Sequence, residues 1–330
     1  MEGVVVNNWN KRRVFVTGAT GIVGSWLCRR LLDDGAYVVV LVRDFDPQSD
    51  LMRSGLVQRC NVVQGALEDY GAVERAIAGH DIDSVFHLGA QTIVGTALRS
   101  PLATFESNIR GSYHLLEACR VQRGLVQRVV VASSDKAYGE SDVLPYVEDM
   151  PLQGRHPYDV SKSCTDLLAL TYANTYEVPV SVARCGNIYG GGDLNWSRIV
   201  PGTILSALEG KRPVLRSDGS YTRDYIYVED VVDAYICLAE ATADGPARGQ
   251  AFNFGPGRGI DVLGITNATL RAVGRDDLEP IILNEAKAEI RHQVLDSTKA
   301  RTKLGWTPRF TLEEGLRRTV LWYQDFLAAR

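Results

Sequence analysis

The chain has 330 residues, 45% hydrophobic and 23% charged, with a formal net charge of −4. Such a chain can bury one large or two coupled cores without disulfides or structural metals. The balance excludes a global basic field for wrapping DNA or RNA, but local arginines can still hold a small anion.

Val14 to Thr17 is a short β-branched run, a glycine-rich turn follows, and Ile22 to Leu32 is apolar at helical spacing. Tyr37 to Val42 (YVVVLV) is a second continuous apolar run, the pattern of a strand buried on both faces of a parallel sheet. The rhythm repeats. Val62-Val63, Ser84 to Leu88, Arg128 to Ala132 and Val178 to Arg184 read as strands; Tyr70 to Ala78, Phe105 to Cys119 and Ser161 to Tyr176 read as helices. This alternation predicts an α/β fold built on a Rossmann doubly wound parallel sheet. After Gly186 the rhythm changes. Ile199 to Leu208 and Val231 to Ala239 read as helices, Arg223 to Val228 as a strand, and Leu312 to Leu327 as an amphipathic terminal helix. The expected division is a dinucleotide-binding domain over 11–186, to which 223–256 returns. A smaller interleaved C-terminal substrate-binding lobe takes 187–222 and 257–330.

No stretch approaches the roughly 18 apolar residues of a membrane span. The run Val4 to Val6 is too short for a secretion signal, so a cytoplasmic protein is expected. Cys28, Cys60, Cys119, Cys164, Cys185 and Cys237 are scattered without a Cys-x-x-Cys pair, which suits reduced thiols and offers no metal-ligand spacing.

Val14 to Gly24 (VFVTGATGIVG) is strand, glycine turn and helix. Gly18 permits the tight turn, Gly21 lets backbone approach a pyrophosphate, and Gly24 lets the helix pack close to the strand. An acid at the end of the second strand ordinarily binds the adenosine ribose and selects NAD. Here Val42 stands at that position, and Arg43 is placed to pair with a 2′-phosphate. The reading favours NADP over NAD; its alternative gives the NAD role to Asp44, one position late.

Tyr158 and Lys162 form Tyr-x-x-x-Lys at the start of a helix, on one helical face. An ammonium beside a phenol favours phenolate, which can take a hydroxyl proton while hydride leaves for a nicotinamide. Upstream, RVVVASSDKAYG supplies hydroxyls at a strand end, where ligands of such sheets bind.

With these residues in place, the chain resembles an extended short-chain dehydrogenase/reductase acting on nucleotide sugars. The matching pieces are TGATGIVG, HLGAQ (His87 to Gln91), NIRGSYHLLEA (Asn108 to Ala118), YDVSK, RCGNIYGGGD, RDYIYVEDVVDA, FNFGPG and KLGWTPRFTLEEGLRRTV. The resemblance implies catalytic roles for Tyr158, Lys162 and Ser134. It implies cofactor contacts from Gly18, Thr20, Gly21, Ile22, Gly24, Arg43, Leu67, Leu88, Ala90, Asn108, Tyr158 and Lys162. Asn108 resembles the asparagine that orients the catalytic lysine in that family. Gln91, Ser134, Asn187, Arg198, Arg223 and Arg291 are the implied contacts of a nucleotide-diphosphate sugar. A homodimer through two helices per subunit is also implied, with Phe105 to Cys119 and Ser161 to Tyr176 as candidates.

Within the family, Ser134-Asp135-Lys136 is similar to the Ser-Asp-Lys of CDP-glucose 4,6-dehydratases, as are the Trp9 region, Gly190 to Asp193 and the terminal Leu-Gly-Trp. The Val42-Arg43 strand end is similar to GDP-mannose 4,6-dehydratases. The Arg223-Asp224-Tyr225 segment is commoner among epimerases and other dehydratases. An adenine-contacting acid is replaced by Ala66, with Asp69 nearby. By position, Asp135 is the acid that protonates a departing C6 hydroxyl and Lys136 the base that removes the C5 proton. A basic lysine must be substantially neutral, through desolvation or a nearby positive charge, and Lys162 is the expected neighbour. The plain alternative is an Asp135–Lys136 ion pair closing the strand. The reading is thus a nucleotide-sugar 4,6-dehydratase. A C4 epimerase using the same Tyr-Lys pair without loss of water is the second reading, and a dinucleotide-sensing binding protein the third.

Overall fold

A computed structural model describes residues 9–285 and 289–329, so the Val4 to Val6 run lies outside the described residues. The strands are β1 (Arg13–Thr17), β2 (Tyr37–Val42), β3 (Asn61–Gln64), β4 (Ser84–His87), β5 (Arg128–Ala132), β6 (Val180–Cys185), β7 (Asn187–Tyr189), β8 (Val214–Leu215), β9 (Thr222–Tyr227), β10 (Ala251–Phe254), β11 (Gly259–Asp261) and β12 (Ile281–Ile282). Seven of them form one sheet in the order β10-β6-β5-β4-β1-β2-β3. Every neighbouring pair in it is parallel. The order reverses between β1 and β4, and a crevice opens beyond their carboxyl ends. This is the expected Rossmann sheet.

The continuous apolar runs have the predicted cause. Val14, Val16, Val38, Val40 and Val130 face one core, while Phe15, Val39, Leu41, Val129 and Val131 face the other. Each such side chain contributes roughly 1.5–3 kcal/mol by leaving water. The first core lies under the Ile22–Asp33 and Val228–Ala243 helices. The second lies under the Tyr70–Gly79, Gly111–Val121 and Pro157–Tyr176 helices.

Two elements differ from the sequence reading. The expected Phe105 to Cys119 helix is interrupted: the Pro101–Phe105 helix passes through a π turn, Glu106–Arg110, before Gly111–Val121 begins. Such turns open the backbone ladder and release polar groups for other bonds. Within 223–256, the strand β9 belongs to a separate three-stranded sheet, β11-β9-β7. Only the following helix and β10 return to the large sheet. The terminal helix, Leu312–Ala328, starts in a reciprocal Thr311–Glu314 capping box. All six cysteines are free. Among the described residues, no helix is long and apolar enough to cross a membrane.

One buried ion pair ties the catalytic helix to the sheet. Arg184 in β6 meets Asp166 of the Pro157–Tyr176 helix through Nε (2.8 Å) and Nη2 (2.9 Å). Its remaining Nη1 donates to the Tyr138 hydroxyl and the Glu148 carbonyl. Both partners are almost wholly inaccessible. Asp166→Ala should therefore strand a buried guanidinium and cost about 3–5 kcal/mol in chemical denaturation. A loss below about 1 kcal/mol, the scale of an exposed pair, would contradict this reading.

Candidate active site

The glycine turn between β1 and the Ile22–Asp33 helix is shaped for a ligand. Gly18 has φ +71°, and a Cβ there would lie 2.7 Å from the Gly89 amide nitrogen. A Cβ on Gly24 would lie 2.1 Å from the Gly18 carbonyl oxygen, which fixes the close approach of helix and strand. Gly21 is different. It is exposed, and a Cβ on it would meet only the Gly18 carbonyl, at a tight 3.3 Å rather than the 2.1 Å found at Gly24. As the N-cap residue it lends no side chain to the first-turn amides. Unpaired N–H groups at a helix start form an anion site, and this cradle fits a dinucleotide pyrophosphate.

The other expected cofactor residues surround the crevice. Thr20 and Ile22 are half-buried beside the turn, as are Leu88 and Ala90 after β4. Leu67 is buried beneath Gly89 and Gly111, both too close to its side chain to accept a Cβ. Arg43 is exposed just beyond β2 and ion-pairs with Asp44. Asp69 does not stand in for the missing acid at Ala66; its carboxylate caps the Tyr70–Gly79 helix by accepting from Ala72 N at 3.1 Å.

Asn108 is buried in the π turn. Its Nδ2 donates to the Gln91 carbonyl (3.0 Å) and to Ser161 Oγ (2.9 Å), and its Oδ1 accepts from Gln91 N (2.7 Å). Its side chain thus clamps the loop after β4 to the catalytic helix and makes no direct bond to Lys162. Gln91 Oε1 turns back to accept from Ile93 N. The freed Asn108 carbonyl accepts from the Ser112 and Thr165 hydroxyls. A chain of bonds continues from Ser112 through His87 to Thr17 and the Gly89 amide. Burial, with Lys162 nearby, drops the His87 pKa to about 3, so the ring is neutral.

The reacting groups gather at the carboxyl end of β5. Ser134 donates to Asp135 Oδ1 at 3.0 Å, and its Oγ accepts from Lys136 N at 3.2 Å. Tyr158 stands at the start of the Pro157–Tyr176 helix, close enough to Ser134 for its hydroxyl to favour the phenolate. Pro157 occupies the first turn of that helix, where its missing N–H costs nothing. Asp135 is 1% exposed, with Oδ2 unpartnered; burial raises its pKa, opposed by the nearby Lys136. Lys136 is lowered, first by burial and then by the Arg223 guanidinium. Its Nζ donates to Gln293 Oε1 at 3.1 Å, not to Asp135, so the strand-closing ion pair does not form.

Two electrostatic expectations are corrected. The positive neighbour of Lys136 is Arg223 from β9, not Lys162. Lys162 instead donates to the Ala132 carbonyl at 2.7 Å, and burial brings its pKa down to about 8. The Tyr158 phenol is not lowered. Burial pushes it up to about 12, with Arg198 and the Ser134 hydroxyl pulling the other way.

The expected phosphate-binding groups come from three directions. Arg223 is buried and donates to the Thr222 and Arg291 carbonyls. Arg198 pairs with Asp193 at 3.0 Å from the glycine-rich loop. Asn187 is half-buried in β7, and the Arg291 side chain is exposed at the rim. Sequence reasoning missed Gln293, Asp159 and Asp224. Asp159 acts on both Asp135 and Lys136 from the catalytic helix. Asp224 is fully buried and accepts from the Gly257, Arg258 and Leu295 amides, holding the approach to Gln293 in place.

A parallel Rossmann sheet, a glycine cradle and a Ser-Tyr-Lys group at a strand end define a protein of the short-chain dehydrogenase/reductase type. Residues 15–319 match the family model described as GDP-mannose 4,6 dehydratase, and the chain belongs to that family. It is 31% identical to the CDP-glucose 4,6-dehydratase of Salmonella typhimurium, over 97% of this chain and 93% of that protein. It is 32% identical to the UDP-glucose 4-epimerase of Mycolicibacterium smegmatis, over 95% of this chain and 99% of that one. Among solved structures, the UDP-glucose 4-epimerase of Thermotoga maritima, determined with UDP-glucose, superposes with a TM-score of 0.86 at 32% identity. It covers 96% of this chain and 99% of its own. The dTDP-glucose 4,6-dehydratase of Streptomyces venezuelae, determined with NAD, gives 0.84 at 28% identity, covering 95% and 97%.

The two glycines should separate in experiment. Gly24→Ala should destabilise the fold by about 1–3 kcal/mol through overpacking, seen as a lower thermal midpoint without ligand. Gly21→Ala should keep that midpoint but bind NAD or NADP more weakly by calorimetry. Equal behaviour of the two variants would contradict the cradle.

Proposed function

We propose that this chain is a nucleotide-sugar 4,6-dehydratase, working in the cytoplasm on a nucleotide-diphosphate hexose and yielding a 4-keto-6-deoxy sugar. The observation that supports it is the Ser134-Asp135-Lys136 run beside Tyr158, with Ser134 and Asp135 buried and Lys136 half-buried. Oxidation and re-reduction at C4 need only the tyrosine, whereas expelling the C6 oxygen needs an acid and a base besides. Proposed sugar and diphosphate contacts are Gln91, Ser134, Asn187, Arg198, Arg223 and Arg291, mostly from the smaller C-terminal lobe.

A bound nicotinamide dinucleotide supplies a hydride store, filled from C4 and emptied to C6 within one turnover. Ser134 holds the C4 hydroxyl and the phenolate form of Tyr158, favoured by Arg198 and Ser134 against burial, takes its proton. The C4 ketone acidifies the C5 hydrogen. Lys136, disfavoured as an ammonium by burial and by Arg223, removes that proton. Asp135, its protonated form favoured by burial, gives its proton to the departing C6 oxygen, which leaves as water. When C6 carries the hydride, Lys136 returns its proton to C5. Tyr158 gains one proton and Asp135 loses one in the turnover, and the two groups are reset by proton exchange with solvent when the product leaves.

The pKa directions fix the signs of the pH dependence. Rate should fall on the acid side as Lys136 is protonated, at a pH below the ordinary lysine value of 10.5. It should fall on the alkaline side as Asp135 loses its proton, at a pH above the ordinary 3.8. A profile rising monotonically through both values would contradict the pair of roles.

Product mass is the test. Offered CDP-, UDP-, GDP- and dTDP-hexoses, the protein should release a product lighter by one water, whereas an isomer of unchanged mass would make it an epimerase. Lys136→Ala should still oxidise C4, seen as reduced-cofactor absorbance, while water loss falls by about 10²–10⁴. Unaltered turnover would return Lys136 to a structural role. We also propose NADP as the preferred cofactor, from the exposed Arg43. Val42→Asp with Arg43→Asn should shift preference to NAD, and an unchanged ratio would defeat the assignment. A homodimer is proposed through the face on which Leu98, Leu102 and Leu167 are exposed. Sedimentation at the mass of one chain would contradict it.

A further inference from the structure

We propose that Gln293 is the positioning residue for Lys136, aiming its lone pair at the sugar without holding it as an ammonium. The inference rests on the dehydratase reading and assigns what sets the base. Gln293 is fully buried, and its Oε1 accepts from Lys136 Nζ at 3.1 Å. A neutral amine has two N–H bonds and one lone pair. Fixing one N–H on a rigid acceptor restricts where the lone pair can point, which is the requirement for taking a proton from one carbon.

The choice of an amide matters. A carboxylate at this place would pair with the ammonium and raise the lysine pKa. The amide carbonyl accepts the same hydrogen bond with no net charge. The groups that already act on Lys136 come from every element around it: Asp135 beside it, Arg223 from β9, Asp159 from the catalytic helix, and Glu289 from the segment before Gln293. These groups act on Lys136 in opposite directions, and a carboxylate at position 293 would add to those that favour the ammonium.

Two further observations fit a positioning role better than a packing role. Gln293 Nε2 is buried and has no partner, a cost that an apolar residue of the same length would avoid. The backbone at this position is firmly held. Gln293 N donates to the Thr222 carbonyl, Thr222 bridges His292, and Leu295 N donates to the buried Asp224. The same strand edge thus carries both Arg223 and Gln293 to Lys136.

The test compares Gln293→Glu and Gln293→Met with the wild type on the nucleotide sugar that the wild type dehydrates. Gln293→Glu should move the acid limb of the kcat profile up by about 1–3 pH units, with activity recovered at higher pH. Gln293→Met should lower kcat for water loss by roughly tenfold to a hundredfold, with KM little changed. In both, C4 oxidation should keep the wild-type rate. Wild-type pH profiles and rates in both variants would overturn the inference, as would an equal loss of oxidation and elimination. If Gln293→Glu does not fold, the kcat-against-KM split of Gln293→Met decides alone. A wild type that releases no water from any sugar would overturn the dehydratase reading itself. A wild type that does so, with indifferent variants, would overturn only the role of Gln293.

Discussion

Partial desolvation of two adjacent opposite charges, a buried Asp135 and a half-buried Lys136, is the constraint on which the rest of this site depends. Asp135 is buried and Lys136 half-buried, and they do not close on each other. Desolvation then favours the neutral form of each, raising the acid and lowering the base. That shift is the one the proposed roles of Asp135 as proton donor and Lys136 as proton acceptor require. Arg223 reinforces this by opposing a second positive charge.

The fold exists around that site in a specific sense. A parallel sheet directs the carboxyl ends of β1, β4 and β5 to one edge, which brings the glycine cradle and the Ser134 run together. The catalytic helix is then fixed at two points. Asp166 binds Arg184 of the sheet, and Ser161 binds Asn108 of the π turn. A continuous hydrogen-bonded path joins Asn108 to Thr17 through Ser112 and a neutral His87. Such a network is rigid because each buried polar group would lose its partner if it moved. Cofactor cradle and catalytic helix are thereby held to a common frame.

Much of this was legible in the sequence, because the governing signals are local. Val14 to Gly24 reads directly as strand, turn and helix, and Tyr158-x-x-x-Lys162 reads as one helical face. Buried strands announce themselves as unbroken runs such as YVVVLV. The misread features are those set by distant segments. Arg223 lies far along the chain from Lys136, so the nearer motif residue, Lys162, was the natural but incorrect neighbour. Gln293 carries no motif and becomes meaningful only when its segment is laid beside β9. The π turn is invisible because Asn108 to Cys119 keeps helical periodicity on either side of one extra residue. Burial also reversed the expected shift of Tyr158, since spacing reports proximity to charge and says nothing of desolvation.

The central claim is that desolvation and Arg223 disfavour the ammonium form of Lys136, as its proposed role as base requires. The most direct measurement is a nitrogen NMR titration of its Nζ in lysine-labelled protein, assigned with the Lys136→Arg variant. The account predicts a midpoint clearly below the ordinary lysine value of 10.5. An Nζ that stays an ammonium up to that value would contradict it.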